Sequence, residues 1–284
     1  MVIESFITPM KAEKRPWQMM LLGVFYSSVA IMFSYIISPN NSSMLMVFFT
    51  VMACMPIIYN TIKYEESKDE KGLSEVRLLK EHYRALEVFI FLFLGITLSF
   101  SVWNIVLPES ISLNLFSAQF ETMQSVNANA TSMSGRFFGI FMNNLEVLFW
   151  CTAFSFLYGL GAIFILTWNA SVIGFAIAKF IKSNLANLAQ QLGAVSTAGY
   201  IQIYSCGYFV RYLPHGLLEI AAYFMAGLAG GILSVAVIRH RLGTKGFMDI
   251  VFDSADLLLI SFIVIFIAGL VEVFMTPGFV GLVC

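Results

Sequence analysis

The chain has 284 residues, of which 59% are hydrophobic and only 12% are charged, and its mean hydropathy is +0.83. A soluble globular domain usually carries about twice that share of charge, so the composition predicts a membrane protein built from apolar helices. The formal net charge of −1 gives no reason to expect nucleic-acid binding.

Apolar runs near the ~20 residues that a helix needs to cross the hydrocarbon core recur along the chain. They predict membrane spans at about 17–38, 44–62, 88–107, 140–168, 215–238 and 255–275. The segment 169–214 is weaker, because its apolar runs Val172–Ala178 and Tyr200–Tyr212 are each too short for a straight span.

Basic residues predict how these spans are oriented, since Lys and Arg accumulate in cytoplasmic loops. With the N-terminus inside, fourteen of the sixteen basic residues are cytoplasmic, Lys179 and Lys182 among them, and only Arg136 and Arg211 are outside. Successive spans must cross the membrane in opposite directions, so one further crossing is required in 169–214. We expect it as a broken or partly re-entrant segment that is packed in protein or lines a wet cavity. We therefore expect an all-α polytopic transmembrane helical bundle of about seven crossings in the cell membrane, with an extracytoplasmic C-terminus.

Two segments outside the predicted spans are candidate surfaces for a protein partner. The cytoplasmic loop 63–87 carries thirteen of the chain's thirty-three charged residues. Its apolar residues recur at spacings of three and four, which predicts an amphipathic helix: Leu73, Val76, Leu79, Tyr83 and Leu86. This helix either lies solvated along the membrane or docks a cytoplasmic partner. The outer loop 108–136 is rich in Asn, Ser and Thr.

We divide the chain into two membrane regions, 1–139 and 140–284.

The sequence contains none of the patterns that would indicate catalysis. It has no G-x-S-x-G, no Gly-rich phosphate loop and no convincing Cys/His pair. His215 and Glu219 form an H-x-x-x-E spacing, which is much weaker than the H-E-x-x-H of zinc proteases. We expect no metal, no cofactor and no enzymatic activity. The four cysteines show no paired or metal-ligand spacing and are interpreted as buried thiols: Cys54, Cys151, Cys206 and Cys284.

The stretch 213–219 (Leu-Pro-His-Gly-Leu-Leu-Glu) places an imidazole and a carboxylate at the start of an apolar helix. Pro214 is suited to the first helical turn, and His215 and Glu219, four residues apart, share one face. The predicted topology brings further polar groups to the same level, within roughly 10 Å of the outer interface. They are Asn143, Asn144, Glu146, Arg211 and Glu272.

Two roles fit this polar layer. In a structural network, His215 and Arg211 satisfy the carboxylates and hold helices together. In a proton or ion path, the same groups relay charge. A set of small residues after Glu219 also predicts close helix packing, within the chain or across a homodimer seam: Ala222, Ala226, Gly227, Gly230 and Gly231.

The string from Leu213 to Ala222, followed by a Gly/Ala-rich span, resembles the signature region of the stage II sporulation protein M family of membrane proteins. This chain has Ala221 where the family has proline. The resemblance covers roughly 140–277, and it includes Asn143, Asn144, Gly159, Gly161, Asn169, Gly174, Glu272, Thr276 and Pro277. The namesake is a membrane scaffold that recruits peptidoglycan-degrading enzymes during engulfment in endospore-forming bacteria, and the wider family extends to non-sporulating bacteria and archaea.

The resemblance implies a non-catalytic integral membrane scaffold, or an assembly component of a membrane complex. Its partners would be membrane lipids and a protein bound through loop 63–87 or loop 108–136, with a homo-oligomer as a further possibility. Two alternatives stay open. One is a channel or transporter, since interrupted helices often frame substrate sites, and the other is the membrane subunit of an ATP-driven exporter. Either would use the polar layer near the outer face.

Overall fold

The structure is a computed structural model, and it describes residues 9–69, 75–127, 133–158, 161–239 and 245–284. Within these ranges, seven helical stretches are long and apolar enough to cross a membrane. The predicted all-α polytopic bundle is therefore confirmed, and the protein is a multi-pass membrane protein.

The first half of the described chain forms helices whose ends are marked by proline. The helices are α1 (Pro9–Lys14), α2 (Trp17–Ile37), α3 (Ser42–Asp69), α4 (Glu75–Val106), α5 (Glu109–Leu115) and α6 (Ser117–Asn127). Pro16 directly precedes α2, Pro39 opens a short 3₁₀ turn before α3, and Pro108 directly precedes α5. Proline suits these positions because its fixed φ fits the first turn of a helix and its missing N–H is not needed there.

The second half of the described chain forms six further helices, and π-helical segments connect two consecutive pairs of them. The helices are α7 (Met133–Tyr158), α8 (Ala162–Leu192), α9 (Thr197–Ser205), α10 (Leu213–Arg239), α11 (Lys245–Leu270) and α12 (Thr276–Val283). A π-helical segment, Cys206–Tyr212, joins α9 to α10, and a second, Val271–Met275, joins α11 to α12. Gly193 ends α8 in the left-handed conformation (φ 75°), and Ser196 caps α9 by accepting a hydrogen bond from the Gly199 N–H.

The span predicted at 140–168 is wrong, because two helices share this apolar run. Helix α7 begins earlier, at Met133, and ends at Tyr158, and α8 begins after Gly161. The crossing sought within 169–214 is supplied by α8, a continuous helix of 31 residues. Lys179 and Lys182 therefore lie in the second half of a span rather than in a cytoplasmic segment.

The loop 63–87 is mostly helical: α3 continues to Asp69 and α4 begins at Glu75, so the two helices extend well beyond their candidate spans. Leu73 and the orientation of the predicted apolar stripe lie outside the described residues.

The segment 108–136 is more than the polar outer loop that we expected. It forms α5 and α6, and three of its side chains, Leu115, Phe116 and Gln119, are fully buried. The Phe116 ring lies 6.3 Å from Phe100 on α4 and 6.1 Å from Phe175 on α8. This segment therefore contributes to the helical core, because its Phe116 ring packs between α4 and α8.

Glycines set the closest helix contacts. A Cβ atom at Gly95 on α4 would collide with the backbone of Met20 on α2, and one at Gly174 on α8 would lie 2.9 Å from the Thr97 carbonyl of α4. These contacts place α4 between α2 and α8. Helix α10 likewise lies between α7 and α11. The Phe224 ring of α10 joins the two groups, because it stacks 5.4 Å from Phe89 of α4.

Candidate functional site

A buried hydrogen-bonded group connects α7 to α10. The Asn144 Nδ2 atom donates to Glu219 Oε1 at 2.7 Å, and the Tyr223 hydroxyl donates to Asn144 Oδ1 at 2.9 Å. Asn144 and Tyr223 are 5% and 3% exposed. A carboxyl group in a membrane span is costly unless donors satisfy it. Asn144 therefore serves both partners at once, accepting from the phenol and donating to the carboxylate.

A second polar group lies between α10 and the start of α12. The Thr276 Oγ1 atom is 3.1 Å from the Val271 carbonyl oxygen and 3.4 Å from His215 Nδ1. A hydroxyl has one hydrogen, and Val271 can only accept it, so His215 Nδ1 carries the hydrogen that points to Thr276. His215 is 7% exposed. The imidazole thus connects α10 to α12 through Thr276. We had predicted instead that it would satisfy the carboxylates.

Charged residues surround these two groups. Glu272 lies within electrostatic range of Arg136 and Arg211, and Glu219 lies within electrostatic range of Glu272. The Arg211 guanidinium lies 5.1 Å from the centre of the Phe180 ring and 5.6 Å from that of Tyr212. Aromatic faces attract cations, most strongly where water is excluded. Arg211 is therefore held by two aromatic rings at a position from which it attracts the Glu272 carboxyl group.

Both π-helical segments belong to this region, and each carries one of its charged residues, Arg211 in Cys206–Tyr212 and Glu272 in Val271–Met275. Helix α12 packs against the first segment. A π turn is rare, and it is found frequently at functional sites because it rotates the residues that follow and leaves backbone carbonyls for other partners. The Val271 carbonyl of the second segment accepts from Thr276 Oγ1 in this way, and the Tyr212 hydroxyl at the end of the first segment donates to the Ala176 carbonyl of α8 at 3.3 Å.

The prediction that all four cysteines are thiols is wrong. Cys206 and Cys284 form a disulfide with a Cα–Cα distance of 5.8 Å, across a sequence separation of 78 residues. It ties the C-terminal residue to the first π-helical segment. Cys54 and Cys151 are buried free thiols, as predicted. Disulfides persist in oxidising compartments, so the end of the helical bundle that carries this bond is the end suited to an oxidising environment.

The structure brings together five of the seven predicted polar-layer residues and separates the other two. His215, Glu219, Glu272, Arg211 and Asn144 form the cluster described above. Asn143 and Glu146 are exposed on faces of α7 that point away from the Asn144 side chain. The predicted layer omitted Tyr223 and assigned Thr276 no contact. Tyr223 lies four residues after Glu219, which is the spacing that places two side chains on one helix face.

The small residues of α10 face the interior of the chain. Ala222 and Ala226 are fully buried, and Gly231 lines a small apolar cavity together with Phe89 and Leu166. The remaining two glycines pack against neighbouring helices. A Cβ atom at Gly227 would lie 3.1 Å from the Ala162 Cβ, and one at Gly230 would collide with the Thr152 carbonyl of α7. Among the residues that the structure describes, no three His, Cys, Asp or Glu side chains are placed to hold a metal ion.

The fold and this cluster define a polytopic α-helical membrane protein whose last helices are held together by buried polar groups. A family model described as stage II sporulation protein M matches residues 88–277, which is more than half of the chain. The protein belongs to the stage II sporulation protein M family, so the resemblance in the signature region is confirmed. The match begins at the third span rather than at about 140.

A relative in the archaeon Methanocaldococcus jannaschii, described as an uncharacterized protein, is 29% identical over 141 residues. The similar region covers 49% of this chain and 69% of the relative. No solved structure matches the chain.

Proposed function

We propose that this protein is a non-catalytic scaffold that assembles other proteins at the membrane. The observation that carries the proposal is the pair of helices that continue past the candidate spans Ser42–Thr61 and Leu86–Val106. Residues 62–69 of α3 and 75–85 of α4 extend by about 12 and 16 Å at 1.5 Å rise per residue. We call the segment 62–85 the hairpin arm. It contains twelve charged residues of both signs, a composition suited to a protein partner.

We further propose that the N-terminus and the hairpin arm are cytoplasmic and that the C-terminus is extracytoplasmic. Two independent observations support this orientation. With α7 and α8 as separate spans, the order of the spans along the sequence assigns twelve of the sixteen basic residues to the same side of the membrane as the arm. The Cys206–Cys284 disulfide lies at the opposite end, where an oxidising compartment would preserve it.

The arm is a better candidate partner surface than the segment 108–136. In that segment, Leu115, Phe116 and Gln119 are fully buried inside the bundle, and Gln119 Nε2 donates to Ser171 Oγ of α8 at 3.1 Å. Side chains that hold the bundle together are not available to a partner. The proposal therefore assigns partner binding to residues 62–85.

The experiment that tests this proposal compares tagged full-length protein with two variants of the arm, purified in mild detergent. One variant replaces every Lys and Arg of 62–85 by Gln, and the other replaces every Glu and Asp by Gln or Asn. Both variants keep the length of the arm, so each is a control for the other. We expect one of them to lose a specific partner while remaining monodisperse. If both variants retain the partners of the wild type, the arm is not the docking surface.

A second candidate function, a proton or ion path, is favoured by one specific observation. Arg211 and Glu272 each lie in a π-helical segment, and interrupted helices at membrane depth often frame ion sites. If the protein conducts ions, Glu219→Gln should abolish flux in proteoliposomes and leave a folded protein. If the cluster is structural, the wild type shows no flux and the same substitution changes only stability.

A further inference from the structure

One stripe of α7 is open to the surroundings over most of its length. It consists of Gly139, Met142, Glu146, Phe149 and Ala153, and we call it the α7 stripe. Met142 and Phe149 are 59% and 60% exposed, and a Cβ atom added at Gly139 would meet no atom within 4 Å. Only 17% of the candidate span in α7 is buried, the smallest share among the seven that the described residues contain. This helix therefore has the largest uncovered face.

The stripe is not an ordinary lipid-facing surface, because it carries polar groups in the middle of a span. Glu146 lies at the midpoint of Met133–Tyr158, and Asn143 lies one turn before it on the same side. Both side chains are exposed, and within the described ranges neither makes a hydrogen bond or an ion pair. A carboxyl group and an amide in contact with hydrocarbon are unfavourable, so side chains in this position normally face protein or water.

The residues of the stripe share one face along the length of α7, because they are separated by three, four, three and four positions. A second helix can pack along such a face at a shallow angle. Gly139 and Ala153 are small and allow close approach of backbones near the two ends. The polar groups at the centre of this face favour a protein neighbour over lipid, because hydrocarbon leaves the carboxyl and amide groups without partners.

We propose that a second copy of this chain covers the α7 stripe, in a parallel dimer with its twofold axis along the membrane normal. Two copies in one membrane bring each residue to the same depth as its counterpart, so the polar layers meet. An amide both donates and accepts hydrogen bonds, so Asn143 of one copy can pair with Asn143 of the other or donate to its Glu146, and the polar layer is self-complementary. The small residues of α10 are already occupied by α7, as the close approach of Gly230 to Thr152 shows, and they do not form the seam.

Cysteine cross-linking in native membranes is the most direct test of the geometry. Met142→Cys is introduced into a chain whose two buried thiols, Cys54 and Cys151, are replaced by alanine, and the Cys206–Cys284 disulfide is retained. We expect oxidation to produce a covalent dimer from this variant. Leu259→Cys is the matched control, because Leu259 of α11 is 60% exposed but lies on another helix. Cross-linking through Leu259 instead, or to a different protein through Met142, would overturn the proposal.

Single-molecule photobleaching in liposomes measures the strength of the seam, with each variant compared over a range of protein-to-lipid ratios. We expect Glu146→Ala to weaken the dimer about tenfold, which corresponds to about 1.4 kcal/mol, and Glu146→Gln to restore most of it because glutamine keeps the hydrogen bonds. Gly139→Ile should abolish the dimer. Gly278→Ile is its control, because Gly278 on α12 also has open space at its Cβ position. A wild type that stays monomeric at every ratio would refute the proposal.

Discussion

Replacing Asn144 by leucine should destabilise the bundle more than any other single change at that depth of α7. Asn144 makes two hydrogen bonds to α10, one to Glu219 and one to Tyr223. Interhelical hydrogen bonds in membranes contribute about 0.6 to 2 kcal/mol each, and a buried carboxyl group that loses its donor adds a desolvation cost. We expect Asn144→Leu to lower the free energy of unfolding by about 2 kcal/mol.

The chain offers a matched control one residue away. Asn143 is exposed, so Asn143→Leu should change the stability by less than about 0.5 kcal/mol, as surface substitutions usually do. The measurement is reversible unfolding in mixed micelles, at protein concentrations low enough to keep the chain monomeric, monitored by helical circular dichroism.

A double-mutant cycle tests the physical reason. If the cost of Asn144→Leu comes from leaving Glu219 unsatisfied, then Glu219→Leu in the same chain should remove most of that cost, and the two effects will not add. Equal effects of the two asparagine substitutions, or strict additivity with Glu219→Leu, would refute the reasoning.

Two further predictions follow from the packing. A maleimide reagent should label no thiol in the native protein, because Cys54 and Cys151 are buried and Cys206 and Cys284 form a disulfide. After reduction it should label one thiol, the exposed Cys284, since Cys206 is only 2% exposed, and after reduction and unfolding it should label four. Labelling of Cys284 before reduction would show that the disulfide is not formed. Gly230→Leu should lower the free energy of unfolding by about 3 kcal/mol, since the leucine side chain would displace the Thr152 backbone. Gly278→Leu should be nearly neutral in the same assay, and comparable effects of the two substitutions would contradict the close contact of α7 and α10.

Hydropathy predicted the spans well where charged or polar residues separate the apolar runs, as at α2, α3 and α4. It failed between α7 and α8, where the chain reverses within one apolar run around Gly161. A run of apolar residues indicates that a segment contacts lipid or the protein core, but it does not show where the chain turns back across the membrane. Glycines at 159 and 161 were the available signal for the turn, but glycine is common inside membrane helices and does not by itself mark the end of one.

The sequence indicated most of the residues of the candidate site but not the direction in which each side chain points. Successive residues on a helix point about 100° apart, so Asn143 and Asn144 cannot both face α10, and the apolar pattern of α7 does not indicate which side is buried. The Cys206–Cys284 disulfide was missed because it depends on two helix ends meeting in space, and a separation of 78 residues carries no local signal.

The most direct test of the central claim, that the buried cluster holds the helices of a scaffold together, is the ion and proton flux of the purified protein in liposomes. We predict that wild type and Glu219→Gln show the same flux as empty liposomes, while Glu219→Leu, which removes the acceptor of the Asn144 amide, unfolds more readily than wild type. Flux through the wild type that disappears in a stably folded Glu219→Gln variant would contradict the account, because the cluster would then be a conduction path.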